Sequence, residues 1–201
     1  MNAAFDDHLL HLKGTFAEHA EFYTRLQKEV EWKPIMWRTR PLPRLCCHSV
    51  QQFPVGKMIV EWLEVLCREN LGIEVTVHDV FGNYYRTGTD YLPHHRDQYS
   101  DGQTPLHVIS ISFGASRRFT FKQNDRVVQS LLLEAGDIVI FDPYMNEHYT
   151  HGIAKTPSLK EGRINLTCFV SFKQLPYGTK IKGSITSTSE LLAMKLMEND
   201  L

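Results

Sequence analysis

Apolar residues recur along this chain at two different spacings, and the change from one to the other falls at Gly72. Before that position, apolar side chains return every three to four residues in two stretches, residues 15–31 and residues 55–70. Because this spacing gathers side chains on one face of a helix, it predicts two amphipathic helices. Thr15 followed by Glu18 predicts a capping box at the start of the first helix, and Gly72 is placed to end the second.

The segment between the two predicted helices, residues 32–50, combines prolines with basic and aromatic residues. Pro34, Pro41 and Pro43 exclude a helix there, so the segment is predicted to form an extended or hairpin-like excursion. Its chemistry-bearing side chains are Trp32, Lys33, Trp37, Arg38, Arg40 and Arg44. They fit a nucleic-acid surface, in which cations hold phosphate and aromatic rings stack on bases. They fit equally a solvated hairpin whose tryptophans pack on the helices.

After Gly72 the chain changes to short β-type runs separated by Gly, Asn, Asp and Pro. Many short strands without helices between them predict a β-sandwich or barrel, so we expect an α+β fold that is mainly β. The length of 201 residues fits a single domain, 1–201. We expect a helical part at 1–72, a β core at 73–175, and a loose tail or peripheral helix at 183–201.

Charge and cysteine content restrict the partners and the compartment. There are 22 Lys and Arg residues against 23 Asp and Glu, and the net charge of −1 gives no overall positive field for nucleic acid or a membrane. Nucleic-acid binding would then need a local basic patch. The four cysteines lack CxxC spacing, and the sequence shows no signal peptide and no apolar run that could span a membrane. We therefore expect an intracellular protein, cytoplasmic or nuclear, that is not secreted and not in a membrane.

Ten histidines are the one excess in the composition, and histidine is a common metal ligand. His95 and Asp97 stand two positions apart, and on an extended chain such residues project to the same side. His151 offers a third donor after a strand-like run and a loop. Two histidines and one carboxylate form the facial triad of non-haem Fe(II) oxygenases, which leaves coordination positions open. Spacing alone does not exclude three competing histidines, His94, His107 and His148.

Polar and apolar residues alternate from Arg163 to Thr167. In a strand, that alternation places Arg163, Asn165 and Thr167 on one face and the two apolar residues on the other. If the polar face points inward, Arg163 needs an anionic partner, because an unpaired buried guanidinium is costly and its fork matches a carboxylate. The alternative is an arginine at the start of a strand that pairs with a surface aspartate.

Together these residues resemble the AlkB family of Fe(II)- and 2-oxoglutarate-dependent dioxygenases, over about residues 32–172. The motifs that carry the resemblance are, in chain order, Asn83-Tyr84-Tyr85-Arg86 with Gly88, His95-Arg96-Asp97, Ser112-Phe113-Gly114-Ala115 with Arg118 and Phe119, Gly136-Asp137, His151-Gly152-Ile153, and Arg163-Ile164-Asn165-Leu166-Thr167. Members of that family repair alkylated nucleic-acid bases or demethylate related substrates.

The resemblance implies a double-stranded β-helix, or jelly roll, with the N-terminal helices packed outside it. It implies Fe(II) held by His95, Asp97 and His151, with 2-oxoglutarate and O2 as cosubstrates. The residues that it assigns to 2-oxoglutarate are Asn83, Tyr85, Arg163, Asn165 and Thr167, of which Arg163 takes the distal carboxylate with help from Tyr85. The implied reaction demethylates an alkylated nucleobase in DNA or RNA and gives succinate, CO2 and formaldehyde. A monomer is assumed.

Two positions and one short segment depart from the family pattern. Phe169 stands where the family's strand usually carries a second inward arginine, so the compensation for that cation is an open question. Tyr99 stands where base-repair members often carry a carboxylate that reads the base edge. The resemblance makes the excursion at 32–50 the family's substrate lid, and Pro43-Arg44 begins like the strand of that lid. The residues that follow, Cys46-Cys47-His48-Ser49-Val50, lack the aromatic-plus-glycine ending that is common in the family.

The substrate is predicted to be nucleic acid with a flipped or unpaired modified base. The residues expected to contact it are Trp37, Arg38, Arg40, Arg44, Arg96, Tyr99 and Arg118. One alternative keeps the chemistry but places it on a protein side chain or a small molecule, and weak salt dependence of binding would favour it. A second alternative, motivated by Phe169, is a catalytically silent jelly-roll binding module.

Overall fold

Antiparallel strands dominate the computed structural model, which describes residues 8–37, 39–98 and 105–173. The strands are β1 (Leu9–Leu12), β2 (Lys33–Trp37), β3 (Arg40–Cys47), β4 (Val75–Tyr85), β5 (Leu92–His95), β6 (His107–Gly114), β7 (Arg117–Gln123), β8 (Arg126–Leu133), β9 (Ile138–Phe141), β10 (Thr150–Ile153) and β11 (Arg163–Phe172). The helices are α1 (His19–Glu29), α2 (Pro54–Leu66) and α3 (Pro143–His148), with a 3-10 turn at Val50–Gln52 and a π turn at Cys67–Leu71.

The strands form two sheets. The larger has the order β1-β9-β6-β11-β4-β3-β2, and the smaller has the order β5-β10-β7-β8. One hydrophobic cluster joins them, with Val108 and Phe141 from the larger sheet against Phe119 and Phe121 from the smaller. Two antiparallel sheets that enclose an interior in this way form a jelly roll, so the predicted double-stranded β-helix is confirmed.

β11 lies in the middle of the larger sheet, between β6 and β4. Ile164 and Leu166 are fully buried in a core that the sheet shares with α1 and α2. Arg163 and Asn165 are also buried, but they take the opposite face, which points toward the smaller sheet. The predicted alternation is confirmed, and it separates an apolar core under the helices from a polar interior between the sheets.

The first predicted helix forms with a later start. α1 begins at His19 instead of Thr15, and Glu18 precedes it without a side-chain capping bond, so the predicted capping box is wrong. The physical reason lies at Phe16, which is fully buried and whose backbone N–H donates to the Gly136 carbonyl at 3.0 Å. That bond, with the burial of the Phe16 ring, ties the chain before α1 to the sheet and leaves the helix to begin after it.

The second predicted helix forms close to its expected bounds. α2 begins at Pro54. Proline is tolerated at the first position of a helix because the N–H that it lacks would have no partner within the helix. The chain then continues as the π turn to Leu71. Gly72 follows with a φ of 65°, a left-handed conformation that suits glycine, and ends the helix as predicted.

The predicted excursion is a hairpin in which β2 and β3 pair, with Lys33 opposite Cys46. Trp32, at its base, donates its indole N–H to the Leu26 carbonyl at 2.9 Å and packs against Tyr84. For this tryptophan the structure supports packing on a helix. Because β3 also pairs with β4, the hairpin extends the larger sheet and places its inner face beside the polar interior.

The sequence pattern did not reveal β1 or α3. β1 pairs with β9, and two histidines hold it there, since His8 Nδ1 contacts Asp142 at 2.6 Å and His11 Nε2 contacts Asp137 at 2.9 Å. Asp142 also caps α3, because its side chain accepts the Met145 N–H at 3.1 Å. With four and six residues, the two elements are too short to show a period.

Two expectations concern the chain's surroundings and its end. Within the described ranges, no helix combines the length and the apolar character needed to cross a bilayer. The predicted tail or peripheral helix at 183–201 lies outside the described residues.

Leu166→Ala tests the apolar face of β11. The substitution leaves a cavity under the helices, and we expect the free energy of unfolding to fall by about 2–5 kcal/mol. Leu132→Ala is the matched control, because Leu132 lies on the outer strand β8 and is 49% exposed. We expect the control to change stability by less than about 0.5 kcal/mol. Urea unfolding followed by circular dichroism measures both, and equal losses would contradict the division of faces.

Candidate metal centre

Three metal-ligating side chains converge between the sheets. His95 ends β5 and His151 lies in β10, and the register of these strands sets the two residues directly opposite each other. Asp97 follows two residues after His95, where the chain leaves the strand. One ligand atom from each residue lies within 4.8 Å of the others. The spacing seen in the sequence thus becomes a cluster of two imidazoles and a carboxylate.

The charge state of the cluster suits a divalent cation. Burial acts to raise the pKa of the Asp97 carboxyl, but the His151 and His95 imidazoles outweigh it and hold that pKa well below its usual range. Asp97 Oδ1 lies 3.2 Å from His95 Nε2, and Asp97 Oδ2 lies 3.4 Å from His151 Nε2. An anionic oxygen donor between two imidazole nitrogens is a donor set that fits Fe(II).

Backbone carbonyls orient the His95 ring. Its Nδ1 lies 3.1 Å from the Pro93 carbonyl oxygen and 3.1 Å from that of His151. Because a carbonyl oxygen accepts and does not donate, Nδ1 carries a proton, and Nε2, which faces Asp97, is the ring nitrogen that would bind a cation. Two backbone carbonyls therefore fix the orientation of this ring.

A side-chain amide on α3 holds the backbone of Asp97. Asn146 Oδ1 accepts the Asp97 N–H at 2.8 Å, and Asn146 Nδ2 donates to the Asp97 carbonyl at 2.9 Å. Arg96 adds a third bond to α3, because its Nε donates to the Glu147 carbonyl at 2.9 Å. The loop that carries the carboxylate is thus fixed to the helix. Sequence reasoning missed Asn146, because no motif marks the short helix on which it lies.

The three competing histidines lie apart from the cluster. His94 Nε2 contacts Thr120 Oγ1 at 2.9 Å. His107 packs edge-on against the Phe172 ring, and His148 is exposed and bonds within its own helix. Among the described residues, the group of donors close enough to share a metal consists of the three predicted ligands.

A cavity lies against the cluster, and its lining divides into a polar and an apolar part. Beside the three ligands, the polar lining consists of Arg44, Asn83, Ser110, Asn165 and Thr167. The apolar lining consists of Phe81, Leu92, Val108, Phe119, Phe141 and Phe169. The rings of Phe119 and Phe141 lie 5.5 Å and 5.4 Å from the His151 ring. Such a lining can orient a polar ligand through a few groups and shield it with the rest.

Hydrogen bonds connect the polar side of the cavity. Arg44 Nε donates to Asn83 Oδ1 at 2.5 Å, and Asn83 Nδ2 donates to Asn165 Oδ1 at 3.5 Å. Asn165 Nδ2 donates to Ser110 Oγ at 2.7 Å, and Asn165 Oδ1 accepts the Thr167 hydroxyl at 3.1 Å. The structure therefore brings three residues predicted for cosubstrate binding, Asn83, Asn165 and Thr167, into one wall of the cavity.

Arg163 and Tyr85 form a second polar pair in the interior, opposite each other on β11 and β4. Arg163 is 1% exposed, its Nη2 donates to Ser112 Oγ at 2.8 Å, and its Nε has no hydrogen-bond partner. Burial lowers the pKa of its guanidinium to about 10. Tyr85 is equally buried and its hydroxyl has no partner. In the described part of the chain, Arg163 donates to neutral acceptors alone, so its charge is open to an anionic ligand.

The residues predicted to contact substrate differ in depth. Arg44 is 6% exposed and lines the cavity. On the exposed surface lie Arg40, Arg96 and Arg118. Outside the described residues lie Arg38, Tyr99 and the side chain of Trp37. Contact with substrate remains a prediction for all of them.

Comparison with known proteins identifies the family to which this chain is related. A family model described as the 2OG-Fe(II) oxygenase superfamily matches residues 15–168. The DNA oxidative demethylase ALKBH2 of Mus musculus is 30% identical over 101 residues, which make up 46% of this chain and 42% of that protein. The alpha-ketoglutarate-dependent dioxygenase alkB homolog 3 of Rattus norvegicus is 27% identical over 167 residues, 71% of this chain and 56% of that one. The chain spans about half the length of the curated relatives it matches.

Solved structures share the fold. The crystal structure of HygX from Streptomyces hygroscopicus, with nickel, 2-oxoglutarate and hygromycin B bound, superposes with a TM-score of 0.58. The likeness covers 83% of this chain and 84% of HygX at 11% sequence identity. At that identity the likeness concerns the architecture and not the substrate.

Asn146→Ala tests the support of the carboxylate ligand. Without the amide, the Asp97 backbone loses two hydrogen bonds, and we expect the affinity for Mn(II) to fall by roughly 10–100-fold, as for other residues that orient metal ligands. Asn70→Ala is the matched control, since the Asn70 amide bonds to the Leu66 carbonyl far from the cluster in sequence and in the fold. Calorimetric titration with Mn(II) measures both variants. An unchanged affinity in Asn146→Ala would refute the supporting role.

Proposed function

The chain belongs to the 2OG-Fe(II) oxygenase superfamily, and from that premise we propose that it is an oxidative demethylase of an alkylated nucleobase in DNA or RNA. The cofactor and cosubstrates of the reaction are Fe(II), 2-oxoglutarate and O2. The observation that carries the proposal is the cluster of His95, Asp97 and His151 against a cavity lined by the buried cation Arg44, whose Nη1 has no hydrogen-bond partner. Arg163 and Tyr85 hold further buried donors without a partner, although neither is among the residues that line this cavity. The nucleic-acid part is supported by the relative ALKBH2, a DNA oxidative demethylase.

In this proposal His95, Asp97 and His151 would hold Fe(II), since two imidazoles and one carboxylate are a donor set that leaves coordination positions open for cosubstrates. With 2-oxoglutarate and O2, the bound iron supplies the oxidation of a C–H bond, and an oxidised N-methyl group leaves as formaldehyde beside succinate and CO2. The protein's part is to keep the ligands in place. The carbonyl bonds to the His95 ring and the Asn146 bonds to the Asp97 backbone do so.

We assign the distal carboxylate of 2-oxoglutarate to Arg163 and Tyr85. The Arg163 Nε and the Tyr85 hydroxyl are buried donors without an acceptor, and leaving such a group unpaired costs about 1–3 kcal/mol. A carboxylate would satisfy both donors and balance the guanidinium charge. Asn83, Asn165 and Thr167, which line the cavity beside the metal ligands, would orient the rest of the molecule.

The apolar lining would keep water from the reacting methyl group. Leu92, Phe119 and Phe141 surround the metal ligands with hydrocarbon, and a dry site strengthens the charge interactions within it. This lining is consistent with oxidation of a methyl group, which needs contact and exclusion of water more than hydrogen bonds.

On the protein surface, a few exposed cations support a nucleic-acid substrate. Arg40 on the β2–β3 hairpin and Arg96 beside the metal ligands are exposed cations. The net charge of −1 supplies no wider attraction. This nearly neutral net charge is the observation that favours the second candidate, which is the same chemistry on a small molecule or a protein side chain.

The metal and cosubstrate assignments are tested together without O2. Addition of Fe(II) and 2-oxoglutarate to the protein should produce the weak visible charge-transfer band of the chelated complex. His95→Ala should abolish the band, because it removes one of the three ligands. His148→Ala, which removes an exposed competing histidine, should leave it unchanged. Absence of the band in the unaltered protein would favour the catalytically silent binding module.

The substrate assignment is tested by coupling to turnover. We expect succinate and formaldehyde release with methylated single-stranded DNA, duplex DNA or RNA. Arg40→Ala should weaken binding of the active oligonucleotide and lower the salt slope by about 1, because it removes one phosphate contact. Arg126→Ala, an exposed arginine at the start of β8, is the matched control and should change neither. Turnover with methylated nucleosides alone, without salt dependence, would instead support the small-molecule candidate.

A further inference from the structure

Arg44 is a buried cation that no described residue neutralises. It is 6% exposed, its Nε donates to Asn83 Oδ1 at 2.5 Å, and its Nη1 is buried without a hydrogen-bond partner. Arg117 is buried to a similar degree and its Nε also has no partner, but it is not among the residues that line the cavity, and its Nη2 donates to the Asp90 and Ala154 carbonyls at 2.9 Å and 2.6 Å. Since an unpaired buried guanidinium is costly, Arg44 indicates a site for an anion.

The cavity that Arg44 lines is the one that holds the metal ligands. Asp97 is the one acid among the described residues of the lining, and two imidazoles already surround its carboxylate. The depth of Arg44 excludes a phosphate of a nucleic-acid backbone, which stays at the surface. A neutral base edge would leave the charge of Arg44 unbalanced. A small anion that enters the cavity is therefore the partner that fits.

Phe169 lines the same cavity from the inward face of β11. Its ring occupies a position from which an arginine could have faced this space, so the larger sheet offers no cation there. Arg44 approaches instead from β3, on the other side of β4. Burial raises the pKa of the Tyr85 hydroxyl, and the positive charges of Arg44, Arg163 and Arg117 oppose that rise.

We propose that Arg44 is a second cation for 2-oxoglutarate, which binds one of its carboxylates while Arg163 binds the other. This proposal rests on the proposed function, because it takes 2-oxoglutarate as the ligand. It gives the β2–β3 hairpin a part in cosubstrate binding, and it moves Arg44 from the substrate contacts to the cosubstrate contacts. The arginine missing at position 169 is thereby replaced from a different strand.

Binding of 2-oxoglutarate to the Mn(II)-loaded protein, measured by calorimetry without O2, tests the proposal. We expect Arg44→Gln to raise the Kd of 2-oxoglutarate by roughly 10–100-fold, because a charged hydrogen bond to a carboxylate is lost. The Kd for Mn(II) should not change. Arg126→Gln is the matched control, since Arg126 is an exposed arginine at the start of β8, and it should bind 2-oxoglutarate as the unaltered protein does.

Relocation of the charge gives a second readout. Phe169→Arg in the Arg44→Gln background returns a cation to the same cavity and should recover most of the lost affinity for 2-oxoglutarate. Arg44→Lys keeps the charge but loses the fork, so its Kd should lie between those of the unaltered protein and Arg44→Gln. Thermal unfolding without 2-oxoglutarate should occur at no lower temperature in Arg44→Gln, because the substitution removes an unpaired buried charge.

The outcomes separate this proposal from the proposed function. If Arg44→Gln binds 2-oxoglutarate normally but shows a raised KM for a methylated oligonucleotide, Arg44 is a substrate contact and the proposal is overturned, while the proposed function stands. If the unaltered protein does not bind 2-oxoglutarate, both are overturned. If Arg44→Gln does not fold, Arg44→Lys decides, and an unchanged Kd in that variant overturns the proposal.

Discussion

β11 is buried on both faces. Its side chains alternate between the apolar core under the helices and the polar interior between the two sheets. Its even-numbered positions from Ile164 to Val170 build the core under α1 and α2, while Arg163, Asn165 and Thr167 face the smaller sheet. A slip of one residue would bury the guanidinium in hydrocarbon and expose the apolar side chains to the cavity. The register of β11 with β4 and β6 therefore fixes the fold and the polar wall of the site at once.

The interior between the sheets holds more positive charge than its own residues balance. Arg44 and Arg163 reach neutral acceptors in the described structure, and each keeps a buried N–H without a partner. Such groups lower the stability of the protein when no anion is bound. An anionic ligand that paired with them would stabilise the folded state by mass action, which would link ligand binding to folding stability.

Local patterns in the sequence were enough for the features that depend on near neighbours. The alternation of β11, the helix that ends at Gly72 and the pairing of His95 with Asp97 are all set within a few residues, and the structure shows each of them. The start of α1 and the presence of β1 were not predictable in this way, because they depend on bonds to Gly136 and Asp137, more than a hundred positions away. The depth of Arg44 has the same cause, since pairing of β3 with β4 turns that side chain inward.

The hydrogen bonds that cap α3 connect the candidate metal centre to residues outside its cavity. His8 bonds to Asp142, Asp142 caps the helix that carries Asn146, and Asn146 holds the backbone of Asp97. A chain of hydrogen bonds thus connects His8, just before β1, to Asp97, although 89 positions separate the two residues in the sequence. The border of the larger sheet therefore takes part in positioning the Asp97 carboxylate of the candidate metal centre.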